Sequence, residues 1–330
     1  MIAGRRRQSL LAALSCAGLA ACSSSPPAPG PGSTSAPPGS GVPSLAPTGA
    51  ATVAQSPPAI GPSALVDPNP LRLPPRKLAL DPGKRVFTVP AAMLEGARAG
   101  STFVLYAATV AGFEGDDLII EGKGGPSYRI GAAYAIPVPD ETKLKLGDVV
   151  LTEWGNGVMK HAVVTRFVKD RIGVRYTDME ARTPEALLLG GRPTAAVSGP
   201  SKAVRFVKQT EGLAPGNYAA QRVGDDLKHV LLVSPFTDGG RKRWLCLGFG
   251  GAAQVVDEGD LVPIPIRWSP KVGAAVWAEW AGTLRRGTVQ GIDDPGLFTV
   301  KFERAGRPAT VGFGQIMAPP ADAPSSAQAP

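Results

Sequence analysis

From Leu71 onward the apolar residues fall in short runs, such as Phe103-Val104-Leu105-Tyr106, Leu118-Ile119-Ile120, Ala162-Val163-Val164 and Leu297-Phe298-Thr299-Val300. Clusters of Gly, Pro, Asp and Asn separate them. β-Branched and aromatic residues dominate the runs, and turn signals recur roughly every eight to twelve residues, the pattern of small all-β barrels. Only residues 93–98 and 184–189 hold enough helix formers for a turn or two of helix, and nearby glycines weaken both. The expected fold class is mainly β.

The runs repeat. Gly147-Asp148-Val149-Val150-Leu151-Thr152-Glu153-Trp154 and Gly273-Ala274-Ala275-Val276-Trp277-Ala278-Glu279-Trp280 share Gly, Val, Glu and Trp at the same spacing. Each Trp is followed 22 residues later by an aromatic after a base, Arg175-Tyr176 and Lys301-Phe302. Fainter copies align Val110-Ala111-Gly112-Phe113 and Val233-Ser234-Pro235-Phe236 with the end of the middle strand. Self-similarity at a fixed period marks a repeat architecture. It predicts four tandem small barrels, over residues 71–140, 141–200, 201–267 and 268–319, with a disordered tail at 320–330. Domains so small bury only about 60% of their unfolded surface, so neighbours are expected to pack on one another.

The N-terminus departs from this pattern. Arg5-Arg6-Arg7 precede a short apolar run, Leu10 to Leu14 and Ala17 to Leu19, which is shorter than the roughly 20 residues of a permanent membrane span. Residues 1–21 read as a signal peptide. After Cys22 comes a Pro/Ala/Gly/Ser tract to about residue 70, with scarcely a charge or an aromatic, which cannot bury enough surface to offset its ordering entropy. Its reach is about 40 Å as a flexible coil and at most about 150 Å as polyproline II. The junction Leu19-Ala20-Ala21-Cys22 resembles the lipobox of bacterial lipoproteins. That resemblance implies cleavage before Cys22, diacylglycerol and N-acyl chains on that cysteine, and a membrane-anchored protein of the cell envelope. Ser23, rather than Asp, implies the outer membrane by the sorting habit of such proteins in Gram-negative cells.

Charge matters less than it first promises. The formal balance of +8 includes the three signal arginines; without them 32 basic residues face 27 acidic ones, a balance of +5. No basic stripe interleaved with aromatics accompanies it, so no nucleic-acid partner is expected. Of three cysteines, Cys16 lies in the signal, Cys22 is the lipidation site and Cys246 sits alone in an apolar strand as a buried hydrophobe.

The units 147–176 and 273–302 resemble the Tudor/Agenet branch of the SH3-like barrels. In that family, aromatics at the barrel mouth cage a methylated cation, an interaction worth about 2 kcal/mol or more when desolvated. The resemblance makes Trp154, Tyr176, Trp280 and Phe302 candidate ligand-binding residues, with Glu153 and Glu279 supplying negative charge. The other reading of the same rings is core filling or sealing between repeats.

Catalytic chemistry is sparse. His161 and His229 both follow a lysine at equivalent strand starts, and with no metal-ligand spacing around them they read as strand residues. The pairs Asp116-Asp117, Asp225-Asp226 and Asp293-Asp294 read as turn formers. Arg241-Lys242-Arg243 and Arg285-Arg286 read as solvated hairpin tips. No catalytic residue, cofactor or metal is expected. The sequence thus points to a non-catalytic binding module for a protein segment or a wall polymer such as peptidoglycan; the alternative is a structural or accessory subunit whose barrels act as spacers. A hydrolase working through Ser and Lys is the remaining class.

Overall fold

In the computed structural model the described residues are 66–121, 126–140, 142–154, 157–169, 171–177, 186–189, 206–294, 296–303 and 307–319. They are mainly β, with no α-helix among them. The strands form four successive meanders of five. In the first, β1 (Arg85–Thr88), β2 (Tyr106–Glu114), β3 (Asp117–Ile120) and β4 (Tyr128–Gly131) pair in chain order, and β5 (Ala135–Pro137) returns to pair with β1. The second repeats this with β6 (Val149–Glu153), β7 (Met159–Val168), β8 (Arg171–Tyr176), β9 (Ala186–Leu189) and β10 (Phe206–Lys208), the last pairing with β6.

The third and fourth share one ten-stranded sheet. β11 (Tyr218–Val223), β12 (Asp226–Asp238), β13 (Arg241–Leu247) and β14 (Ala253–Asp257) are followed by β15 (Leu261–Pro263), which returns to β11. β16 (Ala275–Trp280), β17 (Thr283–Asp294), β18 (Leu297–Phe302) and β19 (Ala309–Gly312) are followed by β20 (Ile316–Met317), which returns to β16. Lys228 of β12 pairs with Thr283 of β17 and joins the two meanders. The sheets stay open.

One bend recurs four times. The second strand of each meander shifts register at a bulge, between Val110 and Gly112, Val164 and Arg166, Leu232 and Ser234, and Val289 and Gly291. A bulge adds twist and bend to a strand, so one long strand pairs forward with the first strand of its meander and backward with the third. The bulge also tests the sequence alignment. Glu153 pairs with Met159 and Glu279 with Leu284, each partner lying five residues before its bulge, so units two and four match position for position. In unit three the sequence alignment on Val233 is one residue out, because Leu232 holds the place of Val164.

Other expectations shift as well. Residues 93–98 form no α-helix; a 3₁₀ turn covers Ala91–Met93. Of the second helical candidate, Ala186–Leu189 is strand β9, since four residues are too few to offset helix nucleation while a ladder with β8 satisfies their backbone. Strand β10 lies beyond the expected boundary at residue 200, yet belongs to the sheet of unit two. The folded body also starts before residue 71. Gly131 donates its N–H to the Pro68 carbonyl, and the Tyr134 hydroxyl donates to Asn69 Oδ1 while accepting the Leu71 N–H. The signal, Cys22, the tract up to residue 65 and the tail at 320–330 lie outside the described residues.

The four units close into a ring. The largest core cluster joins unit one (Phe87, Tyr134, Ile136) to Leu151 and Met159 of unit two and to Val233 and Leu247 of unit three. Val149 and Val163 of unit two pack with Leu297 of unit four, and Ala220 and Leu227 of unit three with Leu284 and Met317 of unit four. Hydrogen bonds cross each seam: Met159 N to Leu105 O, Ser234 Oγ to Ala133 O, His229 N to Gly282 O and Gln315 Nε2 to Thr177 O.

Two glycines make these seams possible. Gly251 has φ of 79°, and a Cβ there would stand 2.3 Å from the Phe103 carbonyl oxygen. Gly282 also has φ of 79°, and a Cβ would meet Phe249 Cβ at 2.3 Å. Gly251→Ala should therefore combine left-handed strain with overpacking and cost at least about 2 kcal/mol. Gly83→Ala, at φ of 86° but with nothing within 4 Å, should cost only the strain, about 1–2 kcal/mol. Urea titrations of the two variants check the difference; equal costs would show that the seam between units one and three does not need the close approach.

Candidate functional site

At the centre of the ring an imidazole, a phenol and an imidazole lie stacked. Tyr218 opens β11, with its ring centroid 3.8 Å from His161 and 4.0 Å from His229, at tilts of 35° and 44°. His161 and His229 each stand three residues before the bulge of their own long strand, so the repeat itself places them as counterparts. The same position is Ala107 in unit one and Arg286 in unit four, where the guanidinium lies 5.8 Å from the Trp277 ring centroid.

Both histidines are buried. His161 Nε2 is 2.8 Å from the Gly216 carbonyl and His229 Nε2 is 3.1 Å from the Gly314 carbonyl. A carbonyl only accepts, so in each ring Nε2 carries the proton. These bonds pin both rings edge-on to backbone turns and hold their faces against Tyr218.

The stack forms part of the wall of a cavity of ≈ 250 Å³ to which every unit contributes. Phe103 and Leu105 come from unit one, Lys160 from unit two, Leu231 from unit three and Glu279 from unit four. Glu279 is 6% exposed; its Oε1 accepts the Gly282 N–H at 2.9 Å, and its own N–H donates to the Gln315 carbonyl. Lys160 is half-buried, with Nζ 6.0 Å from the Trp154 ring centroid. The loop at 248–251 edges the cavity and carries Phe249, which is 63% exposed. Drug-sized pockets run from about 300 Å³ upward, whereas this one holds roughly eight water volumes of about 30 Å³ each. It suits a small polar molecule with an apolar flank.

The aromatic candidates lie elsewhere. Trp154 and Tyr176 belong to the core of unit two, Trp280 and Phe302 to that of unit four. Tyr176 and Phe302 are buried, Trp154 and Trp280 are half-buried, and the Trp280 and Phe302 rings are 5.0 Å apart. A cation cage needs several rings around one charge. The Tyr176 hydroxyl donates to the Glu153 carbonyl, and Glu153 Oε1 lies 3.9 Å from Arg85 Nη1. Of the six candidate ligand residues, only Glu279 lines the central cavity. Among the described residues no group of three or more His, Cys, Asp or Glu side chains converges as a metal site does.

The charge clusters resolve locally. Arg241 to Arg243 follow the Gly239-Gly240 turn, and Arg243 pairs with Asp238 and Asp257 at 2.8 and 2.7 Å. Arg285 and Arg286 are not at a tip: the turn is Ala281-Gly282, and both arginines lie within β17 opposite Ala278 and Trp277. Asp117 pairs with Arg129 at 2.8 Å, and Asp293 accepts the Thr299 hydroxyl at 3.0 Å.

No protein-family model matches the chain, and no curated protein is similar to it.

Buried acids, the Tyr134 hydroxyl among them, give the fold a defined alkaline limit. Burial pushes the Cys246 thiol up to about 12, and the Tyr128 and Tyr176 hydroxyls also up to about 12. Their ordinary values are 9.0 for the thiol and 10.0 for the phenols. Each group favours its neutral form in the folded state, so its contribution is complete below the ordinary value and is lost as pH rises toward about 12. Urea midpoints should hold steady through neutral pH and fall once pH exceeds about 9–10, each group accounting for on the order of 2–4 kcal/mol. Tyr128 and Tyr176 should form tyrosinate together with unfolding rather than before it, and Cys246 should resist a thiol reagent until the chain opens.

Proposed function

We propose that this protein is a lipid-anchored lipoprotein of the cell envelope, in which four SH3-like barrels with Tudor-like repeats form one non-catalytic binding module. The anchor rests on Arg5 to Arg7, the short apolar run and Leu19-Ala20-Ala21-Cys22, with the Pro-rich tract as tether. Two or more acyl chains hold a protein stably, whereas one is marginal. Four meanders, each with its fifth strand returned to its first, support the barrel reading. The observation that carries the binding role is a cavity lined by residues of all four units. A chain of independent spacers has no need to build a shared pocket. Its ligand belongs to a protein segment or to the wall polymer.

The half-buried indoles Trp154 and Trp280 provide the second contact surface of this reading. Cys22→Ser should abolish lipidation, leave the precursor uncleaved and shift the protein out of the outer-membrane fraction; fractionation unchanged from the parent would remove the lipoprotein reading. Detergent-solubilised full chain should sediment with purified peptidoglycan if the wall polymer is the target. Retention lost on combining Trp154→Ala with Trp280→Ala would assign that contact to the indoles, and no retention at all would leave a protein segment as the target.

A further inference from the structure

We infer that the central cavity is a binding site for an aliphatic primary ammonium, carried by a free amine or by the lysine side chain of a protein segment. This inference deepens the binding-module reading and rests on it.

An unpaired acid selects the class. Glu279 is 6% exposed, and its Oε1 accepts the Gly282 N–H at 2.9 Å. Among the described residues no lysine, arginine or histidine forms an ion pair or hydrogen bond with its carboxylate. Its second oxygen is not sealed in either. Among the described residues only Arg76, Arg129 and Gln209 carry a fully enclosed side-chain polar atom without a partner, so Oε2 opens onto the cavity that Glu279 lines. A buried charge is ordinarily paired, because desolvation without a partner is costly. A cation entering the cavity supplies that partner, through a charge-assisted bond about twice as strong as a neutral one.

The basic groups of the same wall are turned elsewhere. His161 and His229 direct their Nε2–H groups to the Gly216 and Gly314 carbonyls. Lys160 holds its ammonium 6.0 Å from the ring centroid of Trp154, which lies outside the cavity wall, and does not pair with Glu279.

The rest of the lining favours an alkyl chain over a metal ion. No group of three metal-ligating side chains accompanies the acid among the described residues. Phe103, Leu105, Leu231 and Leu247 instead give an apolar wall along which methylenes lie out of water. The volume of ≈ 250 Å³ is roughly eight water volumes, space for an ammonium on a chain of about four or five carbons. Phe249 lines the cavity and is 63% exposed, so the cavity reaches the surface beside an aromatic ring. Trp154, Tyr176, Trp280 and Phe302 do not line it, which separates this site from the ring pairs of units two and four.

The test uses the detergent-solubilised full chain and thermal melts at about 10 mM ligand, a concentration that stabilises any site of millimolar affinity or better. n-Butylammonium chloride is compared with sodium butyrate, and the peptide acetyl-Gly-Lys-Gly-amide with its norleucine counterpart, all at matched ionic strength. Butylammonium, the lysine peptide or both should raise the melting temperature, while butyrate and the norleucine peptide leave it unchanged. Stabilisation by butylammonium alone assigns a free amine; stabilisation by the lysine peptide assigns the side chain of a segment. Glu279→Gln keeps an oxygen for Gly282 and removes the charge, and should weaken binding about tenfold or more.

Silence with both butylammonium and the lysine peptide overturns the inference, as does equal stabilisation by butyrate or the norleucine peptide, or affinity unchanged in Glu279→Gln. Circular dichroism separates lost binding from lost fold. Where Glu279→Gln does not fold, Leu231→Phe, at a half-buried position of the wall, narrows the cavity without touching the acid, and affinity unchanged there overturns the inference as well. Peptidoglycan sedimentation that survives a silent cavity would sink the site and leave the binding module standing; loss of both would sink the module reading too.

Discussion

A five-stranded unit of this size buries little and is marginal by itself, and the structure gives the four units common cores. Residues of units one, two and three share a single apolar cluster, and smaller clusters seal unit four against units two and three. At an order of 25 cal/mol per Å² of apolar surface removed from water, such seams supply what each unit lacks. Everything at the centre follows from that need. Strand ends and loops that would face solvent in a lone unit are turned inward and meet their counterparts.

Much of this was legible in the sequence. The alternation of short apolar runs with turn residues reads as strands, and the repeated Gly-x-x-Val and Glu-Trp spacing reproduces the register of β6 and β16 to the residue. The third unit was harder, because its long strand reaches two residues further beyond the bulge than that of unit two before turning, and aligning on Val233 instead of Leu232 lets two apolar neighbours trade places. Over residues 186–189 the helical reading failed for a related reason: leucine suits either state, and the partner strand decided.

The site was much less legible. Trp154 and Trp280 draw attention because aromatics are rare in this chain, yet each sits within its own unit. His161 and His229 look like ordinary strand residues, 68 positions apart in a chain with only two histidines. Their shared setting, a lysine followed by histidine three residues before the bulge, is visible in the sequence only once the bulge position is known. Tyr218 carries no local signal, because its role comes from being first in a strand that two other strands flank. A cavity made by four units leaves no spacing motif, since no stretch of chain contains more than a fraction of it.

The order in which the ring closes follows from where its seams lie. The bond from Ser234 to Ala133 spans 101 residues and that from Gln315 to Thr177 spans 138. Chains dominated by such distant contacts fold slowly, because loop closure must precede the contacts that reward it. Unit one, emerging first, has the apolar face around Phe87 and Ile136 ready before the strands that cover it exist. The central pocket is complete only when unit four docks and brings Glu279 to the walls supplied by the other three, so a chain that halts before unit four has three meanders and no completed pocket.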